Sequence, residues 1–168
     1  MLLPIALLLG CEPRQQLVEQ HLLEFGTLIQ ISLVTDDLSR AEGLLNDIEI
    51  RLRQQRGQWH AWEDSDLTRF NDALRRSGSA PLPDSLEPLL RLSRGYYDSS
   101  GGLFNPALGK LIAAYGFHGA PPDPAAIRAL KRDLPGMHDL VIDGGRALSR
   151  HPDLQIDLGG IAKGYAVG

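Results

Sequence analysis

Hydrophobic and polar positions alternate along residues 27–34, and three aliphatic side chains share one face: Ile29, Ile31 and Leu33. Strict alternation of this kind predicts a half-buried β-strand. Over residues 36–54 the apolar positions instead recur every three or four residues. This spacing predicts a helix, and three residues at its start are candidate caps: Asp36, Asp37 and Ser39.

Capping and breaking residues organise the segment that follows. A start rich in Ser and Asp at 64–66 opens a short helix, and residues 76–83 have the composition of a loop. Asp84 and Ser85 are predicted to cap the next helix. That helix ends at 98–102, where Asp, two serines and two glycines form a strong breaker.

The second half of the chain carries further helices and strands. Pro106 is predicted in the first turn of a helix, and residues 123–134 form the next one. Residues 140–149 form a hairpin, and residues 154–158 form a final strand that leads into two glycines and a closing helix. The order of strand, helices, hairpin and strand predicts a single α+β domain, with helices packed on a mostly antiparallel sheet.

Composition and missing motifs exclude several function classes. The chain has 168 residues, of which 43% are hydrophobic and 23% charged, as in ordinary globular domains. Its formal net charge of -4, without a block of basic residues, argues against nucleic acid as a partner. The five histidines are scattered, which argues against a zinc site. The sequence also lacks a GxSxG elbow, a Walker A loop and a GxGxxG turn.

The first ten residues are almost wholly apolar and lead to the single cysteine, Cys11. This segment is too short to span a bilayer, but it fits the hydrophobic region of a secretory signal. Leu-Leu-Gly-Cys at 8–11 resembles a bacterial lipobox, so we expect a signal over 1–11, lipidation of Cys11, a polar tether over 12–17 and the domain over 18–168. The alternative is a buried strand with an inert thiol. A single cysteine excludes an internal disulfide.

The most suggestive chemistry lies near residue 157. An apolar run ends in Asp157, Gly159 and Gly160 follow, and Lys163 lies six residues after the aspartate. A carboxylate, permissive glycines, helix amides and one point charge together are suited to holding a phosphate. Two glycines after a strand are nevertheless weak evidence on their own.

Two other segments admit either a binding role or a structural one. Trp59 and Trp62 precede the Ser/Asp-rich turn, where they could stack on a flat ligand, although composition favours a place in the core. Gly101 and Gly102 could cradle a phosphate or a ring edge, or they could simply end the preceding helix.

Four parts of the sequence, taken in order, carry a family resemblance. They are Phe-Gly-Thr at 25–27, Asp-Ser-Asp-Leu-Thr-Arg-Phe-Asn at 64–71, Ser-Gly-Gly-Leu-Phe-Asn-Pro-Ala-Leu-Gly at 100–109 with Tyr-Gly-Phe at 115–117, and Ile-Asp-Leu-Gly-Gly-Ile-Ala-Lys-Gly-Tyr-Ala-Val at 156–167. Together they resemble the FAD:protein FMN transferases, the ApbE-like flavin transferases. The resemblance covers nearly all of the predicted domain, but only about the first half of a typical family member.

The resemblance implies a defined activity. Such enzymes bind FAD and Mg²⁺ and attach FMN through a phosphoester to a Ser or Thr hydroxyl of an acceptor protein, releasing AMP. They are often lipoproteins, anchored to the bacterial inner membrane and facing the periplasm. This placement agrees with the independent interpretation of Cys11.

The resemblance also implies individual site residues. Asp157 and Lys163 match positions that contact FAD, and Gly160 matches a metal ligand that could offer only its carbonyl oxygen. The other matches are with flavin-binding positions: Phe25 where methionine is common, Trp62 one residue out of register, and the segment Leu103, Phe104 and Asn105. The family usually has aspartate at the last of these, so Asn105 lacks a charge.

The largest departure is the family's second half, which contributes the Asp and Thr that complete the metal site. The resemblance therefore leads us to expect that the full gene product is a flavin transferase and that the 168-residue chain is an incomplete, inactive or nearly inactive version. The alternatives are a non-catalytic flavin-binding lipoprotein, an inactive gene fragment and a structural lipoprotein without a ligand.

Overall fold

The computed structural model describes residues 15–168. Its contacts divide the chain into two compact units, Met1–Arg51 and Leu52–Gly168. The sequence pattern does not mark this boundary. The predicted signal and its lipidated Cys11 lie outside the described residues. Among the residues that are described, no helix is long and apolar enough to cross a membrane.

The first unit contains an antiparallel hairpin of β1, Gln16–Glu24, and β2, Thr27–Thr35. Strand β2 confirms the strand predicted from alternation and extends it by one residue. Strand β1, whose first two residues fall in the predicted tether, is not among the strands predicted from the sequence. Its apolar residues occur as the adjacent pairs 17–18 and 22–23, so periodicity alone does not identify it, and its pairing with β2 makes it a strand.

A two-residue turn joins these strands. Phe25 and Gly26 have φ angles of 53° and 67°, both in the left-handed region that type I′ hairpin turns require. Glycine adopts such angles freely, whereas an aromatic residue at this φ is uncommon and strained. Phe25 is therefore held in a costly backbone conformation at the tip of the hairpin.

Helix α1, Leu38–Trp59, begins in the first unit and ends in the second. Among the candidate caps, Asp37 fills the role, because its Oδ1 accepts the backbone N–H of Arg40 at 3.0 Å. The helix runs past the predicted end at residue 54. Trp59 is buried, and its indole Nε1 donates to the carbonyl of Ser85 at 2.9 Å, so a tertiary contact fixes the last turn.

The second unit contains helices around a small sheet. After α1 the elements are α2 (Asp66–Ser77), β3 (Ser79–Pro81), α3 (Glu87–Ser99), α4 (Gly109–Ala114), α5 (Pro124–Leu130), a 3₁₀ turn (Met137–Asp139), β4 (Leu140–Asp143), β5 (Arg146–Ser149) and α6 (Ala162–Val167). The sheet is antiparallel in the order β3-β5-β4, which confirms the predicted hairpin and the predicted mixture of helices with an antiparallel sheet.

Its core is largely aliphatic. The largest apolar side chains with almost no solvent contact come from α2, from α3 and the residue before it, from the 3₁₀ turn, from β4 and from the segment before α6: Leu67, Leu86, Leu89, Leu90, Met137, Leu140, Ile156 and Leu158. Burying residues from so many elements fixes the segment before α6 against the helices. This matters because the segment carries Asp157.

Helix α2 begins with a capping box. The hydroxyl of Ser65 accepts the N–H of Thr68 at 3.0 Å, while the hydroxyl of Thr68 accepts the N–H of Ser65 at 2.9 Å. Each side chain satisfies a backbone donor that the first turn leaves free. The Ser/Asp-rich start predicted from the sequence is thus confirmed as a helix N-terminus.

Replacing Ser65 with alanine is expected to lower the free energy of unfolding by about 1–2 kcal/mol, because a buried cap is lost. Urea unfolding followed by tryptophan fluorescence measures the change, since Trp59 and Trp62 both lie in the second unit. Ser99→Ala is the matched control, an exposed serine at the other end of a helix. Equal destabilisation by the two variants would contradict the capping interpretation.

Three predicted boundaries are wrong. Asp84 and Ser85 do not cap α3, whose first turn follows Leu86; Ser85 donates instead to Asp66 at 2.6 Å. The predicted loop 76–83 contains β3, which pairs with β5 over Ser79–Pro81. The helix predicted over 123–134 ends at Leu130, although its predicted start at Asp123 is confirmed by two cap hydrogen bonds.

Two further predictions fail together. Pro106 lies outside α4, and residues 154–158 form no strand, only a single parallel bridge between Leu108 and Gln155. The reason is that these two segments bond to each other: the carbonyls of Pro106 and Ala107 accept the N–H groups of Asp157 and Gln155. Residues 106–107 therefore form a turn, and residues 156–158 have no regular secondary structure.

Candidate functional site

The site is built on the segment that ends at Asp157. The side chain of Asn71, on the buried face of α2, takes the place of a neighbouring strand beside it. Its Nδ2 donates to the carbonyl of Ile156, and its Oδ1 accepts the N–H of Ile156, both at 2.8 Å. A single amide side chain thereby satisfies both backbone groups of a residue that is 1% exposed.

Asp157 itself is buried, with 8% of the residue exposed. Its N–H donates to the carbonyl of Pro106 at 2.9 Å, and its Oδ1 accepts the N–H of Gly159 at 2.8 Å. Its other carboxylate oxygen, Oδ2, lies 3.3 Å from Nε2 of His118. The protein therefore fixes the orientation of this carboxylate before any ligand binds.

An aromatic cluster adjoins Asp157 through His118. The rings of Trp62 and His118 lie 4.6 Å apart at an angle of 31°, and the ring of His60 contacts Trp62 edge-on at 4.7 Å. Trp62 is 56% exposed, whereas Trp59 is buried. The structure thus separates the two tryptophans: the core assignment holds for Trp59, and Trp62 presents its ring to solvent.

A second wall of the site comes from the segment after α3. A Cβ atom added at Gly160 would lie 3.3 Å from the ring of Phe104, so the exposed glycine abuts that ring. Phe104 also meets Tyr96 edge-on at 6.0 Å. These residues line a cavity of about 370 Å³, completed by Ser99, Ser100 and Ile161. This volume lies within the range of small-molecule sites.

The other predicted site residues are exposed, hydrogen-bonded elsewhere in the protein, or part of the first unit. Leu103 is 92% exposed, and Lys163 is exposed in the first turn of α6. Asn105 uses its side chain internally: Nδ2 donates to the carbonyl of Pro135 at 2.9 Å, and Oδ1 accepts the N–H of Ala107 at 3.1 Å. Phe25 belongs to the first unit, at the hairpin turn. Their proposed contacts with FAD stay predictions.

The described residues do not by themselves make up a magnesium site. Gly160 can supply only its carbonyl oxygen, and Mg²⁺ requires close to six oxygen ligands in octahedral geometry. Within residues 15–168 no group of three or more His, Cys, Asp and Glu side chains is arranged to hold a metal ion. No chemical step through Mg²⁺ therefore follows from these residues.

Two residues of the site, Asn71 and His118, are not among those predicted from the sequence. Asn71 closes the Asp-Ser segment, and the signal that could have marked it is a polar residue at a position on the buried face of a helix. His118 follows the Tyr-Gly-Phe segment directly, but one histidine among five scattered ones gives no local signal. Only the folded chain shows that it contacts Asp157.

His60 is a titratable neighbour of this cluster. Its Nδ1 accepts the N–H of Glu63 at 2.9 Å, so the neutral ring carries its proton on Nε2. Burial lowers the pKa of His60; Glu63 opposes this shift, and Arg56 and His118 add to it. The folded protein therefore resists protonation of this ring.

We expect the second unit to lose stability as the pH falls below about 6.5, the ordinary pKa of histidine, because the unfolded chain then binds a proton that folded His60 does not. The loss is smaller in His60→Asn, whose side-chain oxygen can still accept the N–H of Glu63 but does not titrate. Urea unfolding at a series of pH values measures how the free energy of unfolding depends on pH in the wild type and in His60→Asn. The exposed His21 supplies the control substitution, His21→Asn. The same pH dependence in His60→Asn as in the wild type would contradict the prediction.

The chain is similar to known proteins in sequence and in fold. The model of the ApbE family matches residues 25–168. An FAD:protein FMN transferase of Rhodobacter capsulatus is 35% identical over 149 residues, which cover 85% of this chain and 28% of the relative. One from Salmonella typhimurium is 29% identical over 180 residues, with 95% and 50% covered.

The solved structures that the chain resembles are also of ApbE proteins. The crystal structure of the ApbE protein from Thermotoga maritima superposes with a TM-score of 0.78 at 22% identity, over 90% of this chain and 50% of that one. The Pseudomonas stutzeri flavinyl transferase ApbE, in its apo form, gives a TM-score of 0.76 at 30% identity, over 91% and 51%. The chain spans half or less of the length of these curated relatives and about half of these structures. Its match to the family model over residues 25–168 nevertheless includes every element of the site, so the chain belongs to the ApbE family.

Proposed function

We propose that this protein transfers FMN from FAD to a Ser or Thr hydroxyl of an acceptor protein, with Mg²⁺, and releases AMP. The observation that carries the proposal is the family match over residues 25–168, within which Asp157 is a buried carboxylate fixed on both oxygens. The two relatives compared at the sequence level are named FAD:protein FMN transferase.

The geometry around Asp157 supports binding of a flat ligand with polar edges. Phe104 and Tyr96 offer an apolar wall beside Gly160, and Trp62 offers an exposed ring near His118. Aromatic walls suit a planar ring system, and a fixed carboxylate can accept hydrogen bonds from the N–H or hydroxyl groups of a flavin nucleotide. Within the second unit we propose FAD contacts for Asp157, Lys163, Phe104, Leu103, Asn105 and Trp62.

The proposed reaction is a phosphoryl-type substitution. The acceptor hydroxyl oxygen forms a bond to the phosphorus of the FMN half, and the bond from that phosphorus to the bridging oxygen breaks. AMP leaves with that oxygen and the bonding electron pair, and the hydroxyl proton passes to water. Such transfers depend mainly on holding the attacking and leaving oxygens in line. A bound divalent cation would offset charge on the pyrophosphate; for it we propose the carbonyl of Gly160 as one ligand.

We also propose that the protein acts at the periplasmic side of the bacterial inner membrane, anchored by a lipid on Cys11. The support is the apolar segment 1–10 and the Leu-Leu-Gly-Cys sequence that ends it. Metabolic labelling with a fatty-acid analogue tests this placement. Label on the wild type that is absent from Cys11→Ser is the expected result, and an unlabelled wild type would contradict it.

The transferase proposal is tested with the protein as its gene encodes it. The protein is incubated with FAD, MgCl₂ and an acceptor protein, and intact mass spectrometry then measures FMN on the acceptor. We expect FMN transfer that is lost with EDTA. A protein that binds FAD without transferring FMN would contradict the proposal and support the flavin-binding alternative.

A further inference from the structure

A histidine outside the sequence-predicted set contacts the acidic residue of the site. Nε2 of His118 lies 3.3 Å from Oδ2 of Asp157, and the two side chains are only 12% and 8% exposed. Shielding from water strengthens a polar contact of this kind, and it makes the loss of one partner costly. The pair is therefore energetically significant.

The hydrogen bonds of Asp157 define what His118 contributes. Gly159 donates to Oδ1, so one oxygen is held by the backbone of the turn. An ionised carboxylate only accepts hydrogen bonds, so the contact at Oδ2 requires a proton on Nε2 of His118. The backbone fixes one end of the carboxylate, and His118 fixes the other.

The orientation of His118 is itself set by an aromatic neighbour. The Trp62 ring packs on the His118 ring with centroids 4.6 Å apart and a tilt of 31°. His60 meets the same tryptophan edge-on, at 4.7 Å. These contacts hold the imidazole plane, and so they direct Nε2 toward Asp157.

We propose that His118 is a positioning residue of the flavin site: its Nε2–H holds the Asp157 carboxylate in the orientation that accepts a hydrogen bond from FAD. The inference rests on the proposed function, because it assigns Asp157 to FAD. It separates the role of the imidazole proton from the role of the ring. The His118 ring packs on Trp62, and the proton on its Nε2 forms the hydrogen bond to Asp157.

Two substitutions of His118 separate these roles. His118→Phe keeps a ring for Trp62 and removes the donor, whereas His118→Gln removes the ring and can place its amide N–H near the position of Nε2. We expect His118→Phe to weaken FAD binding about tenfold, the loss of one charge-assisted hydrogen bond, and His118→Gln to recover most of the affinity. Flavin fluorescence titration of the protein as its gene encodes it measures both affinities.

Three comparisons control the result. His138→Phe removes another histidine that pairs with a carboxylate, Asp98 at 3.0 Å, and is expected to leave FAD binding unchanged. In an Asp157→Asn background the effect of His118→Phe is expected to disappear, because the two residues act in series. Urea unfolding of each variant shows whether weaker binding reflects a less stable fold.

The opposite pattern would overturn the inference: binding retained by His118→Phe and lost by His118→Gln shows that His118 acts only as a packing ring. Equal losses in the wild-type and Asp157→Asn backgrounds would overturn it as well. Absence of FAD binding by the wild-type protein overturns the proposed function itself, and the assignment of His118 with it. That outcome is distinguishable because it does not depend on any substitution.

Discussion

Replacement of Asn71 with alanine is expected to lower the free energy of unfolding of the second unit by about 2–5 kcal/mol, a larger loss than the one expected for Ser65→Ala. The variant leaves both the N–H and the carbonyl of Ile156 without partners, in a residue that is 1% exposed. Each buried backbone group left unsatisfied costs about 1–3 kcal/mol. The variant also releases the segment that positions Asp157.

Urea unfolding followed by tryptophan fluorescence measures this loss. We expect the midpoint urea concentration to fall, while the slope of the unfolding free energy against urea concentration stays unchanged. Asp72→Ala is the matched control: it changes the next residue of α2, whose exposed ion pair with Arg75 is expected to contribute less than about 1 kcal/mol. Asn71→Asp is a second comparison, because it keeps the acceptor but turns an oxygen toward the Ile156 carbonyl. Nearly wild-type stability of Asn71→Ala would show that Asn71 does not hold this segment.

Replacement of Asp157 with asparagine is expected to weaken FAD binding about ten- to a hundredfold, with FMN transfer reduced at least as much. The change keeps the shape of the side chain and the acceptor for the N–H of Gly159, but it removes the negative charge. A hydrogen bond to a charged group contributes about 1.5–3 kcal/mol, which corresponds to this range of affinity. Fluorescence titration with FAD and the mass assay for FMN transfer measure the two effects.

Asp153→Asn is the control for this substitution, since Asp153 lies four residues earlier and pairs with Lys110 at 3.0 Å rather than with any site residue. Its FAD affinity is expected to equal that of the wild type. If both variants bound FAD equally well, Asp157 would have no direct role in the site. Matching unfolding midpoints of wild type and Asp157→Asn would exclude loss of the fold as the cause.

Local signals predicted the elements whose stability is local. Alternation over 27–34 predicts β2, the sequence of residues 140–149 predicts the β4-β5 hairpin, and Ser65 predicts the start of α2. In the hairpin and the helix cap the bonded residues are close neighbours in the sequence, and in β2 the signal is the alternation of apolar residues within the strand itself. Periodicity and capping chemistry report such interactions directly.

Predictions failed where the partner of a segment is distant. Trp59 extends α1 because it is fixed by Ser85, 26 residues later, and Ser85 itself bonds Asp66 instead of capping α3. In the same way, β1 is a strand because β2 pairs with it, although its own residues do not alternate. Local propensity is a weak determinant when a tertiary contact offers a buried hydrogen bond.

The sequence by itself determined the family, through motifs whose order and spacing survive without knowledge of the fold, and it singled out Asp157, Gly160 and Phe104. Only the tertiary structure decided how these residues meet. Asn71 reaches the backbone of Ile156 across 85 positions of sequence, and His118 reaches Asp157 across 39. Contacts between residues so far apart in the sequence produce no periodic pattern of hydrophobic and polar positions, because they depend on which surfaces the folded helices and turns bring together.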